Sequence, residues 1–116
     1  MKKLLALALL ITGQLHAQCW KTVSNGGGHT MALKTDNTLW TWGLNNYYSA
    51  LGNGNTESSN VPIQVNSATD WLKISAGYEH CIALKADGSL WGWGNNNWSQ
   101  MGNNDLVIAT TPIQVG

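Results

Sequence analysis

The chain has 116 residues with six Lys+Arg against six Asp+Glu, and only 10% of it is charged. None of the cations is arginine, the side chain that most often reads guanine edges and clamps phosphates, so direct nucleic-acid binding is not expected. Length alone would suit one small domain; the internal organisation described below overrides that prior.

The first residues divide into a basic pair, Lys2 and Lys3, an apolar run from Leu4 to Ile11, and a polar stretch ending in Leu15-His16-Ala17. This is the layout of a secretory signal peptide, with Ala17 as the small residue at the cleavage site. The run is shorter than the about 20 residues needed to span a bilayer. We therefore expect residues 1–17 to be a signal peptide and the mature chain to be exported, whether secreted, at the cell surface or in the periplasm, with no membrane span after cleavage. Lipidation of Cys19 is not expected, because Gln18 stands where lipoprotein processing favours Gly or Ala. The mature chain keeps Lys21, Lys34, Lys73 and Lys85 against six carboxylates and is mildly acidic.

Shifting the sequence by 51 positions lays Trp20 on Trp71, Gly26 on Gly77, His29 on His80, Leu33 on Leu84, Trp40 on Trp91 and Gly43 on Gly94. One extra residue near Tyr48 then reduces the offset to 50, so that Pro62-Ile63-Gln64-Val65 falls on Pro112-Ile113-Gln114-Val115. A period of this size marks stacked units, neither of which can bury its apolar faces alone. The two units are taken as residues 18–70 and 71–116.

Within each unit the alternation is that of strands. His29, Met31 and Leu33 alternate with Thr30, Ala32 and Lys34, and His80, Ile82 and Leu84 alternate with Cys81, Ala83 and Lys85. Asp36-Asn37 and Asp87-Gly88 predict two-residue hairpin turns with positive φ. Strands Thr38–Trp42 and Ser89–Trp93 follow, and extended pieces at Trp71–Ser75 and Ile113–Val115 complete a four-stranded unit. Both faces of the hairpin are apolar, so each sheet must be covered on two sides. The predicted class is all-β, two four-stranded blades of an incomplete β-propeller.

The string Gly77-Tyr78-Glu79-His80-Cys81-Ile82-Ala83-Leu84, followed by Asp87-Gly88-Ser89-Leu90-Trp91-Gly92-Trp93-Gly94 and by Gln100-Met101-Gly102, resembles the regulator of chromosome condensation (RCC1) repeat. The resemblance runs from Trp20 to Val115. It implies a propeller that closes with seven blades, here by further repeats or by self-association, and a role in binding another protein through loops at one face. It also assigns Gly26, His29, Trp40, Trp42, Gly43, Gly77, His80, Trp91, Trp93 and Gly94 to the repeat framework. Ser49 and Ser99 depart from the pattern where the family has Gly, and Cys81 stands where it has Thr or Ser, which puts the local loop geometry in question.

Catalytic apparatus is not visible. His29 and His80 could meet around a propeller axis as metal ligands or an acid/base pair, but each opens an inner strand at the same repeat position and is better read as a blade-to-blade hydrogen-bonding group. Asp36 and Asp87 are read as turn residues rather than a hydrolytic pair. No zinc-ligand spacing, nucleophile elbow or phosphate-cradling loop occurs, and no cofactor is expected. Cys19 and Cys81 suit an oxidising compartment without implying a disulfide framework; Cys81 fills the slot of Thr30 and reads as a small buried strand residue.

Trp40, Trp42, Trp91 and Trp93 occupy equivalent strand positions and are read as inter-blade core. Asn46, Tyr47, Tyr48, Asn97 and Trp98 lie instead in Asn-rich loops, where aromatic and amide groups together suit a partner contact. Three functions compete: a non-catalytic protein-interaction module, a lectin-like surface protein that stacks glycans, and an accessory domain of a larger secreted enzyme.

Overall fold

The structure is a computed structural model and describes residues 19–45 and 47–116. The signal-peptide expectation and Asn46 lie outside them. Eight strands form two four-stranded antiparallel sheets in sequential order. The first blade comprises β1 (Trp20–Asn25), β2 (His29–Lys34), β3 (Leu39–Gly43) and β4 (Ser59–Gln64). The second comprises β5 (Trp71–Ala76), β6 (His80–Lys85), β7 (Leu90–Gly94) and β8 (Ala109–Gln114).

The fourth strand starts earlier than the apolar pattern suggested. β8 begins at Ala109, paired with Gly94, and ends before Val115. Its pairing strand sets these limits, and Thr110-Thr111 suits an extended backbone. Pro62 and Pro112 fall in β4 and β8, each the last strand of its sheet, where a missing N–H costs no ladder bond.

The hairpin turns also differ from expectation. Only Asn37 (φ 64°) and Gly88 (φ 86°) have positive φ there. The Asn37 N–H donates to the Lys34 carbonyl at 2.9 Å and the Lys34 N–H to Thr38 at 3.1 Å, which makes a three-residue loop closed by one left-handed residue. Gly88 and Lys85 repeat both bonds. The Asp side chain selects this form: Asp36 Oδ1 accepts from the Thr38 amide and hydroxyl, and Asp87 Oδ1 accepts from both groups of Ser89. Those hydroxyls accept in turn from Trp40 and Trp91 Nε1, each at 2.8 Å. The Thr38 hydroxyl bond holds the Asp36 carboxyl below its ordinary range, and the Ser89 bond does the same for Asp87.

Each blade has two unlike faces. On one, Thr30, Ala32 and Lys34 stand opposite Trp42, Trp40 and Trp20. Trp20 meets Trp40 edge-on at 6.3 Å and Trp42 at 5.7 Å, and the Lys34 ammonium lies 4.0 Å from the Trp40 ring centre. Trp71, Trp91, Trp93 and Lys85 repeat this cluster in the second blade. The opposite face carries His29, Met31, Leu33 and Leu39 in the first blade and His80, Ile82, Leu84 and Leu90 in the second.

The core is where the second blade's tryptophan face meets the first blade's aliphatic face. Met31, Leu33, Leu39, Trp71, Cys81, Ala83 and Trp93 are fully buried in one cluster. Trp93 Nε1 donates across the joint to the Ala50 carbonyl at 2.9 Å, and the Ala76 amide donates to Ser24 Oγ at 2.9 Å. Where no neighbour stands, the equivalent residues lose cover. Trp20 is 46% exposed against 1% for Trp71, and Ile82, Leu84 and Leu90 are half-buried where Met31, Leu33 and Leu39 are closed off.

Candidate interaction face at the loop end

The strands place two different surfaces at opposite ends of the blades. One end holds the three-residue hairpin loops with Lys34 and Lys85. The other holds the loops between β1 and β2, β3 and β4, β5 and β6, and β7 and β8, with the sequence-predicted loop aromatics. Tyr47 and Trp98 are each 84% exposed; Tyr48 is half-buried and Asn97 is exposed.

The amide-rich loops are organised from within. Asn45 is buried; its Nδ2 donates to the carbonyls of Asn55 and Glu57 while its Oδ1 accepts from the Leu51 amide. Asn96 does the same work in the second blade, donating to Asp105 and accepting from the Met101 amide. Ser49 (φ 56°) and Ser99 (φ 57°) hold the left-handed backbone that the family pattern fills with Gly, so the loop geometry is retained with strained residues. The loops are thus fixed platforms for the aromatics, and these central amides are spent on the platform itself.

His29 and His80 take unlike environments. His29 Nε2 lies 3.2 Å from Cys81 Sγ across the joint, and the thiol also reaches the Ala50 carbonyl at 3.3 Å. Burial pushes the Cys81 thiol far above its ordinary range, so it stays protonated and unreactive. His80, at the same repeat position, is half-buried on the open flank. A Cβ at Gly77 would overlap the His80 ring, and one at Gly26 the His29 ring. The His29 ring also bonds to the His80 backbone and feels the His80 charge across the joint, so the two histidines are neighbours in unlike surroundings, and among the described residues no group of three His, Cys, Asp or Glu side chains converges as a metal site would require.

Burial lowers the pKa of both histidines, most directly through desolvation. The unfolded chain then binds more protons than the folded one below about pH 6.5, so stability is fully present above that pH and falls as pH drops through the lowered folded values. We expect urea midpoints to fall on acidification from pH 7 to 5, and the slope to shrink in His29→Asn. An unchanged slope in that variant would place the proton uptake elsewhere.

A cleft of about 230 Å³ opens at the loop end between the blades. Gly27 and Gly28 line it, with Leu44, Tyr47, Tyr48, Tyr78 and Glu79 around them. The Gly27 amide donates to the Tyr78 carbonyl at 2.9 Å, an approach that a Cβ at Gly27, 2.5 Å from that oxygen, would prevent. Tyr78, Glu79 and Leu44 were not singled out by sequence reasoning. The signal was available: the units share the Gly and His of the Gly-x-x-His motif but read Gly27-Gly28 between them in one and Tyr78-Glu79 in the other.

Comparison with known proteins bears on what this face belongs to. The profile described as "Regulator of chromosome condensation (RCC1) repeat" matches residues 36–84 and 87–116, and a second profile of the same description matches 20–49 and 71–100. The chain belongs to the RCC1 repeat family. Among its relatives are the human E3 ubiquitin-protein ligase HERC2, 29% identical over 78% of this chain, and the Arabidopsis thaliana ultraviolet-B receptor UVR8, 33% identical over 87%. The Caenorhabditis elegans homolog of the X-linked retinitis pigmentosa GTPase regulator is 36% identical over 70%. The chain spans 2%, 23% and 6% of these relatives respectively. The fold matches yeast RCC1 (Prp20), solved bound to Kap60, with a TM-score of 0.76 at 17% identity over 85% of this chain and 25% of that one. Human WBSCR16 gives 0.76 at 20% identity, covering 85% and 26%. The all-β architecture of two four-stranded blades is that of an RCC1-type propeller segment.

Proposed function

We propose that the chain is a non-catalytic protein-interaction segment of an exported RCC1-type propeller, and that it engages its partner through the loop end. One observation carries this reading: Leu44, Tyr47, Tyr78, Trp98, Leu106 and Val107 all lie in loops at that end and are 56% to 84% exposed. Large exposed apolar groups concentrated on one surface mark interaction sites, and aromatic residues dominate the energetics of such contacts. The basic pair and apolar run at the start of the sequence support export. No helix among the described residues is long and apolar enough to cross a membrane.

The experiment is affinity capture with protein recovered from the exported fraction, where mass spectrometry should find Gln18 as the first residue. Trp98→Ala together with Leu106→Ser should weaken capture of a specific partner by tenfold or more, the scale of about 1.4 kcal/mol expected for one interfacial anchor. Thr35→Ala at the hairpin end should not. Loss on the hairpin-end change alone would assign binding to the other surface, and an intact Met1 in the cytosol would remove export.

A further inference from the structure

The lysines are segregated along the blades, whereas the carboxylates are divided, with Asp36, Asp70 and Asp87 at the hairpin end and Glu57, Glu79 and Asp105 at the loop end. Lys21 is the second residue of β1, Lys34 and Lys85 close β2 and β6 at the hairpin end, and Lys73 lies one pair from Lys85 in the β5 ladder. Lys21 is engaged with Asn37 Oδ1 and Lys85 with Asp70. The loop end carries Glu57, Glu79 and Asp105 and, among the described residues, no lysine or arginine at all. The inter-blade cleft opens into this acidic end.

Its lining suits one kind of ligand. Three tyrosines supply electron-rich ring faces, Leu44 an aliphatic wall, and Glu79 a carboxylate at the rim, one oxygen of which accepts from Asn95 Nδ2 at 3.0 Å. The volume falls below the roughly 300 Å³ at which drug-sized pockets begin, so it fits a single long side chain rather than a folded element. Asn45 and Asn96, the amides at the loop cores, donate inside the platforms, and the charged group that the cleft itself presents is the Glu79 carboxylate.

We propose that this cleft receives a lysine or arginine side chain of the protein partner, its cation held by Tyr47, Tyr48 and Tyr78 and faced by Glu79. The proposal rests on the loop-end reading above and names the chemistry of the partner: a basic surface that projects one long side chain. Cation–π attraction and the carboxylate act on the same charge, while the stem packs on Leu44.

The test is an NMR titration of the exported full chain with Nα-acetyl-lysinamide, Nα-acetyl-argininamide, the uncharged Nα-acetyl-norleucinamide and N-acetylglucosamine. The two cations should shift the Gly27, Gly28 and Tyr78 amides saturably, more weakly at high salt, and norleucinamide should not. Glu79→Gln, which can still accept from Asn95, should weaken cation binding by about threefold, as for one partly exposed ion pair. Tyr78→Ala should do the same while leaving the backbone bond to Gly27 intact. Equal binding of norleucinamide, binding of N-acetylglucosamine alone, or no saturation by either cation would each overturn the proposal. The two readings fail separately: a Glu79→Gln chain that captures the partner with undiminished affinity sinks the cation pocket alone, while cation binding without loop-end capture sinks the interaction face alone.

Discussion

Replacing Trp93 by Ala should cost about 3 to 5 kcal/mol, the range for removing a fully buried large aromatic side chain. The ring has no exposed surface, packs against Trp71 and donates its Nε1–H across the blade joint to Ala50. A typical domain holds only about 5 to 15 kcal/mol of net stability, so the variant should unfold at very low urea or before any is added. Trp42 holds the same repeat position in the first blade but is half-buried on an open face. Trp42→Ala should therefore cost about 1 to 2 kcal/mol, in keeping with the smaller area it withdraws from water. Near-ultraviolet circular dichroism during urea titration measures both. If Trp93→Ala leaves no folded baseline, Trp93→Phe, which keeps most of the ring volume and loses the hydrogen bond, supplies a measurable intermediate. Equal costs at positions 42 and 93 would show that burial in the joint is not what stabilises the pair.

The second large effect concerns the open flanks. The first blade shows an uncovered tryptophan face with Trp20 46% exposed, and the second shows half-buried Ile82, Leu84 and Leu90. These are the equivalents of the two surfaces that make the internal joint, so the tail of one copy is shaped for the head of another. A joint that removes several hundred Å² of apolar surface from water is worth on the order of 10 kcal/mol before the cost of association. Residues 18–116, purified by themselves, should therefore associate head to tail at micromolar concentrations in light scattering. Leu84→Glu, which puts a charge on the trailing face, should return it to monomer with reduced stability. A wild-type monomer with a cooperative transition would show that two blades suffice.

The blade and its strands were legible because two copies of one pattern are present, and every alternation could be checked against its equivalent. The hairpin departs in detail from the two-residue form because Asp-Asn and Asp-Gly favour several tight turns, and the choice falls to Thr38 and Ser89, whose hydroxyls fix the Asp side chain in a longer loop. The framework tryptophans stood out as repeat-equivalent, yet their unequal burial could not be read from identity: Trp20 and Trp71 have the same neighbours within their own blade and differ only in what lies across the joint. Tyr47 and Trp98 were visible as loop aromatics. Tyr78 and Glu79 were not, because they sit inside a motif read for its constant Gly and His, and because the cleft arises only when the first blade's glycine run meets the second blade's loop. Spatial convergence of segments about 30 residues apart or more leaves no periodic trace. The pairing of His29 with Cys81 was hidden for the same reason.

The unlike faces of each blade give the stack a direction, and this governs how such a gene can change length. A whole unit gained by duplication arrives with an aliphatic face for the tryptophans behind it and tryptophans for the aliphatic face ahead, so both new junctions copy one that already works. A gain or loss that breaks within a unit separates strands that supply the same face, and the resulting junction sets indole against indole or strands an unpaired edge. Divergence can then accumulate one loop at a time, as between Gly27-Gly28 and Tyr78-Glu79, while the junction chemistry keeps the count of blades free to vary.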